Sequence, residues 1–182
     1  MTGSNVRQRA AQVLATVVLF LATLWLNDWL FDRLEFARGI NYVYLPAGMR
    51  LLCTLLFAEN GAWGLLFASW LVDFLYFFPD DFERAFVGGI LATVAPYLVY
   101  RLARRFWGLD PLLRNLTPRR LLALALAYSI ANPLLLHLWL ALRGQHDLLR
   151  GFAAMAFGDL TGTLILLYVL RGLLALVPRK AQ

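Results

Sequence analysis

Residues 10–27 and 121–142 contain no formally charged side chain. As an α-helix rising 1.5 Å per residue, each run is long enough to cross the roughly 30 Å hydrocarbon core of a bilayer. A chain that carries two such runs has few ways to fold. Strands of an outer-membrane barrel alternate over about ten residues, and no segment here does so. The expected architecture is therefore all-α, a polytopic transmembrane helical bundle. Composition agrees, with 61% hydrophobic and 15% charged residues, against about half and a quarter in a soluble domain. Six segments fit helical spans, at about 11–30, 40–58, 61–78, 84–103, 119–142 and 151–174. The pieces between them are short, so residues 1–182 read as a single transmembrane domain. Arg7 and Arg9 precede the first run as in a signal peptide. That run continues to Trp25 and Leu26 without a small-x-small cleavage site, so an uncleaved first helix is expected.

Basic residues set the expected direction. Arg101, Arg104, Arg105, Arg114, Arg119 and Arg120 fall in or beside the connection after the fourth segment, against Asp110 alone. Arg7 and Arg9 lie at the N-terminus, and Arg171, Arg179 and Lys180 near the C-terminus. The intervening loops hold the acidic "PDDFER" and a mixed set of Asp32, Arg33, Glu35 and Arg38. Six helices with both termini in the cytoplasm place every strongly basic piece inside, as a multi-pass bacterial inner-membrane protein requires. Arg143 and Arg150 are the exceptions on the outer side. Residues 101–113 read as positive-inside anchoring or as a basic helix lying on anionic lipid. Trp25, Trp29, Tyr42, Tyr44, Tyr76 and Trp139 form an outer aromatic belt, and Tyr100, Phe106 and Trp107 an inner one. The net charge of +6 is spread between apolar runs rather than gathered on a soluble basic face, so nucleic acid is not an expected partner; the lipid bilayer is.

Charges inside the spans single out the candidate site. Arg50 lies within "NYVYLPAGMRLL", Asp73 in "LFASWLVDFLYFF" and Asp159 in "AFGDLTGTL". Facing lipid, these three would cost about 8–10 kcal/mol together on insertion scales, which approaches the whole net stability of a domain. They are expected to face inward, with Arg50 placed between Asp73 and Asp159 and its planar fork donating to a carboxylate on either side. All three fall in the outer half of the membrane, with Asn41, His137, Asn27 and Asp28. Pro46 lacks an N–H and Gly48 is conformationally permissive, so "YLPAG" either starts the second helix or breaks it. A helix starting there would aim free N–H groups and its positive dipole end at the same place, a site for an anion. The rival reading is an Arg–Asp lock that joins three helices.

Other polar and small residues read as structural. Asn132 and Pro133 form a kink, because Pro133 frees the carbonyl of Ser129; Asn132 either satisfies that carbonyl or reaches a neighbour. Ala154, Gly158 and Gly162 recur every fourth position, a stripe that permits close helix approach. Cys53 is the single cysteine, so no intrachain disulfide forms and a cysteine metal site lacks ligands. No phosphate loop, HExxH or Ser-His-Asp set is present. No enzyme, cofactor or metal is expected.

The segments "YLPAGMRLL", "GAWGLLFASW" and "FGDLTGTLILLYVL" together resemble the membrane-associated sensor domains of the MASE type. The resemblance runs over most of residues 40–170 and rests on Pro46, Ala47 and Gly48, then Gly61 and Gly64, then Gly158, Asp159 and Gly162. It implies a multi-helix sensory input of the kind fused to diguanylate cyclases or histidine kinases. This chain departs from the pattern in its smaller number of helices, in Arg50 within the motif helix, and in carrying no output domain. The expected function is thus a stand-alone, non-enzymatic inner-membrane sensor. Its outward pocket of Arg50, Asp73, Asp159, Asn41 and His137, with Pro46 and Gly48, would bind a small ligand, anionic groups included, and it would signal through a protein partner. The alternatives are the substrate-binding membrane subunit of an energy-coupling-factor importer and an assembly factor of a membrane complex.

Overall fold

In the computed structural model, residues 3–146 and 148–176 are described; Arg179 and Lys180 lie outside them. Helix α1 (Gly3–Phe31) leads through a 3-10 turn to a short antiparallel hairpin, β1 (Glu35–Ala37) and β2 (Ile40–Asn41). Five helices follow: α2 (Leu45–Phe57), α3 (Glu59–Val72), α4 (Phe82–Trp107), α5 (Pro118–Leu142) and α6 (Leu148–Leu176). Helix α3 continues into a π-helical turn, Asp73–Phe77. The fold is the expected helical bundle, but residues 40–44 depart from it. These do not begin a helix: Ile40 and Asn41 pair in the hairpin, and Pro46 sits in the first turn of α2, where a missing N–H leaves nothing unsatisfied.

Four helical stretches are long and apolar enough to cross a membrane: Asn5–Phe31, Phe82–Trp107, Pro118–Leu142 and Leu148–Leu176. This is an integral membrane protein. Helices α2 and α3, with 13 and 14 residues, are each shorter than the roughly 20 that a full crossing takes. Four spans, not about six, therefore qualify by length and composition. The short pair nonetheless runs along much of α1. The Leu45 N–H donates to Asn27 Oδ1 at 2.8 Å, and Asn60 Nδ2 donates to Gln12 Oε1 at 2.6 Å. Between Gln12 and Asn27, α1 rises about 22 Å.

Helix α2 is the axis of the bundle. It packs against α1, α3, α4, α5 and α6, while those five form an arc in the order α1, α3, α4, α5, α6. Nearly every α2 position is accordingly buried, from Leu45 through Leu51 and again from Cys53 to Leu55. A helix apolar on all sides is stable only when enclosed in this way. Phe20, Leu51, Leu55, Leu65, Leu124 and Tyr128 fill the core around it.

Glycines set the closest approaches. A Cβ on Gly61 would overlap the Cys53 carbonyl, so α2 and α3 fold tightly on one another; on Gly48 it would meet the Thr163 Cα at 2.9 Å. Gly158 and Gly162 serve a different neighbour from the one expected. Their missing side chains admit the bent stretch from Asn41 to Tyr44, whose carbonyls at Asn41 and Tyr44 occupy the space of a Cβ. That stretch is tied down by Tyr44 N–H to the Gly158 carbonyl at 3.1 Å and by Thr161 Oγ1 to the Tyr42 carbonyl at 2.9 Å.

The turn between α2 and α3 rests on Ala58, at φ 49° and ψ −120°. A non-glycine residue in such a region stores about 1–3 kcal/mol. Ala58→Gly is expected to raise the melting temperature in detergent by roughly 2–6 °C; an unchanged or lower value would show that the turn is not strained.

Two further features select among the expectations or depart from them. Helix α4 runs on to Trp107 and is closed by Gly108 at φ 57°, so residues 101–113 form no separate interfacial helix. Asn115 instead closes the following loop, donating to the Gly108 carbonyl at 2.8 Å and accepting from Asp110 N–H at 3.0 Å. Tyr44 and Tyr100 are buried rather than placed in aromatic belts, whereas Trp25 and Trp29 are more than two-thirds exposed. At the hairpin end, Arg143 pairs with Glu83 at 2.6 Å, joining α5 to α4.

Candidate functional site

Arg50 is buried because it lies on the enclosed helix. Its guanidinium carbon sits 5.0 Å from the centroid of the Phe20 ring and 5.5 Å from that of Tyr44, within cation–π range. Its Nε has no hydrogen-bond partner in the protein. The expected double fork does not form: among the described residues the ion pair that closes within 4 Å is Arg143–Glu83, and Arg50 reaches neither Asp73 nor Asp159 at that distance. Aromatic rings from α1 and from the chain before α2 flank the guanidinium, leaving the carboxylates to act across space. Arg50 interacts electrostatically with Tyr44, Tyr128, Asp159 and Asp73. The Tyr128 hydroxyl, buried close by, also lacks a partner of good geometry.

The carboxylates are held by different means. Asp159, 1% exposed on α6, accepts a 2.7 Å hydrogen bond from Asn132 Nδ2 on α5. Asn132 therefore reaches a neighbour rather than the carbonyl freed by Pro133. Asp73 opens the π-helical turn, whose wide ring is closed by Phe78 N–H donating to the Asp73 carbonyl at 2.8 Å. Turns of this kind re-aim side chains and recur at functional sites. Here Asp73 lies beside Gly88 of α4, whose added Cβ would stand 3.4 Å from Asp73 Oδ2. Arg50 and Arg84 balance its charge at longer range.

These groups line one cavity of about 60 Å³, opening at the hairpin end. At about 10–15 Å³ per water on this measure, it has room for roughly four to six waters or one small polyatomic ligand. Arg50, Asp73, Asp159, Asn41, Tyr44 and Asn132 form its polar wall. Arg38 and Arg84 stand among the lining residues from the hairpin and α4. Arg38 Nη2 donates to the Tyr76 carbonyl at 2.9 Å, and Arg84 lies 4.2 Å over the Phe78 ring. Among the described residues no three His, Cys, Asp or Glu side chains converge as a metal site would need.

The structure thus brings Arg50, Asp73, Asp159 and Asn41 together and leaves three expected members out. His137 does not line the cavity: its Nδ1 is 2.8 Å from the Pro133 carbonyl, and its ring meets Phe152 edge-on. Gly48 is taken up by packing against α6, and Pro46 by the start of α2. Nor does α2 aim free N–H groups into the cavity. The Leu45 N–H is used by Asn27, Pro46 has none, and the Ala47 N–H donates to the Tyr44 carbonyl at 3.1 Å. The positive charge at the cavity is that of arginine side chains, Arg50 deepest on α2 with Arg38 and Arg84 beside it on the lining. Gly158 and Gly162 pack against the chain before α2, and Pro133 lies within α5. Asn132, Tyr44, Arg38 and Arg84 were not read as site residues. Tyr44 carried a signal, lying two residues before Pro46 in a stretch already singled out.

Asn27 emerges as the cap of the central helix. Asn27→Ala orphans a buried N–H, at about 1–3 kcal/mol, and is expected to lower the melting temperature by roughly 2–10 °C. A melt superimposable on wild type would remove Asn27 from that role.

Fold and cavity together define a small polytopic helical membrane protein with a charged, end-opening cavity. Comparison with family models, curated proteins and solved structures finds no match, so the resemblance to MASE-type domains rests on the quoted motifs alone.

Proposed function

We propose that this protein is a non-enzymatic bacterial inner-membrane receptor of the sensor type, whose outward-facing cavity binds a small ligand through an anionic group. The observation that carries this is Arg50: a guanidinium on the central helix, 6% exposed, with no carboxylate within 4 Å and an unpartnered Nε. A buried charge of this kind is retained at a cost unless something pairs with it.

On this reading the hairpin end faces the periplasm and the arginine-rich α4–α5 connection faces the cytoplasm. The α2–α3 hairpin adds two crossings, making six. Its reach from the level of Asn27 to that of Gln12 on α1 supports this, covering about 22 Å of a core of roughly 30 Å. Helix α3 connects the two ends. It carries Asp73 at the cavity, and at its other end Glu59 accepts from the Tyr97 hydroxyl at 3.3 Å, which in turn accepts from Arg101 Nη1 at 3.4 Å. A shift of α3 on ligand binding would be felt at the basic connection, where a protein partner reads it.

The test is a ligand screen by thermal shift on detergent-purified wild type and Arg50→Leu, with acetate, phosphate, sulfate and small carboxylates. At least one anion should stabilise wild type and not the variant. The reading fails if no anionic compound separates two equally folded proteins. Co-purification then distinguishes partners: a kinase or cyclase supports the sensor, and an ATPase pair would move the assignment to the importer subunit.

A further inference from the structure

Charge of both signs lines the cavity without an ion pair closing within 4 Å. Arg50 is one cation, and Asp73 and Asp159 are two carboxylates; all three are more than nine-tenths buried and line the same cavity of about 60 Å³. No cation stands within 4 Å of either carboxylate among the described residues. A ligand that is only an anion, seated on Arg50, would be held beside two acidic groups in a medium that screens them poorly. A ligand that is only a cation would leave the guanidinium without an acceptor, which a buried donor does not tolerate well. A molecule with one group of each sign satisfies both halves of the wall.

We propose that the ligand is a small zwitterion of the amino-acid kind, its carboxylate held by Arg50 and its ammonium lying toward Asp73 and Asp159. This rests on the anion-binding reading above and narrows it. The elements that supply the two halves explain how such a dipole is oriented. Arg50 comes from the enclosed helix α2, with the Phe20 and Tyr44 rings beside its guanidinium, and it lines the cavity. Asp159 is fixed on α6 by the Asn132 amide, and Asp73 is turned to the same space by the π-helical segment. Arg38 and Arg84, also on the cavity lining, favour entry of the carboxylate end. Volume limits the class. A cavity of about 60 Å³ favours the smallest members, such as glycine or β-alanine.

The experiment is isothermal titration of the detergent-purified full chain with glycine, β-alanine, acetate and methylammonium, and of Arg50→Gln and Asp73→Asn with the tightest of them. At least one zwitterion is expected to bind tenfold or more tightly than both acetate and methylammonium, and to lose at least tenfold in each variant. Acetate binding as tightly as the zwitterions overturns the zwitterion while leaving the anion reading standing. Methylammonium binding as tightly, undiminished by Arg50→Gln, overturns both, as does binding of none of the four. The wild-type series decides the matter even where a variant fails to fold.

Discussion

Gly158→Ala is expected to strip the protein of its folded state in detergent, or to leave it melting at least 10 °C below wild type. A methyl group there overlaps the Asn41 carbonyl oxygen and crowds the carbon of the same carbonyl. Overpacking typically costs about 1–3 kcal/mol when neighbours can adjust. Here the neighbour is backbone, and two bonds hold it in place: Tyr44 N–H to the Gly158 carbonyl, and Thr161 Oγ1 to the Tyr42 carbonyl. Pushing the strand away gives up both, at about 1 kcal/mol each, and drags the start of α2 with it. A total of about 3–5 kcal/mol is a large share of a domain's 5–15 kcal/mol. Gly172→Ala on the same helix is the control. Nothing lies within 4 Å of its added Cβ, and the change should be neutral or stabilise by about 0.5–1 kcal/mol through helix propensity. Circular dichroism melts of the pair decide it; equal midpoints would mean that the bent stretch does not lie on α6 as described.

Arg50→Leu is expected to weaken anion binding by at least thirtyfold and to spare the fold. Truncating one member of a buried charge pair costs about 2–5 kcal/mol of affinity, or some thirtyfold to several thousandfold. The fold should survive because Arg50 closes no ion pair within 4 Å. Its contacts with Phe20 and Tyr44 are ones that a leucine partly replaces, and burying a leucine on α2 avoids the desolvation that the guanidinium suffers. Arg50→Lys separates charge from shape. It keeps the positive charge but loses the planar fork, so binding should fall between the other two. Titration of the three proteins with the best anion orders them; a leucine variant that binds like wild type would dismiss Arg50 as the anchor.

Six apolar helices, and polar residues turned away from lipid, were legible in the sequence because transfer free energy belongs to residue types and to run length. The same arithmetic selected Arg50, Asp73 and Asp159, since charges so costly in hydrocarbon must share an interior. It misled wherever the answer lay in which segment touches which. His137 reads as a cavity residue by depth, but the carbonyl of Pro133 lies one turn away on its own helix and the His137 ring nitrogen meets it. For Asn132 the sequence left two partners open, the carbonyl freed by Pro133 or a neighbour, and only the packing of α5 on α6 selects Asp159.

What the sequence by itself determined is the class of molecule: a helical membrane protein whose charges within apolar segments are buried, because hydrophobic burial and the cost of desolvating charge belong to residue types. Only the tertiary structure decided that short α2 is the axis, that the chain before it lies on the glycines of α6, and that aromatic rings rather than carboxylates flank Arg50. Those outcomes depend on steric fit between segments far apart in the chain, and a methyl group or a ring edge settles such a fit only once the helices are in place.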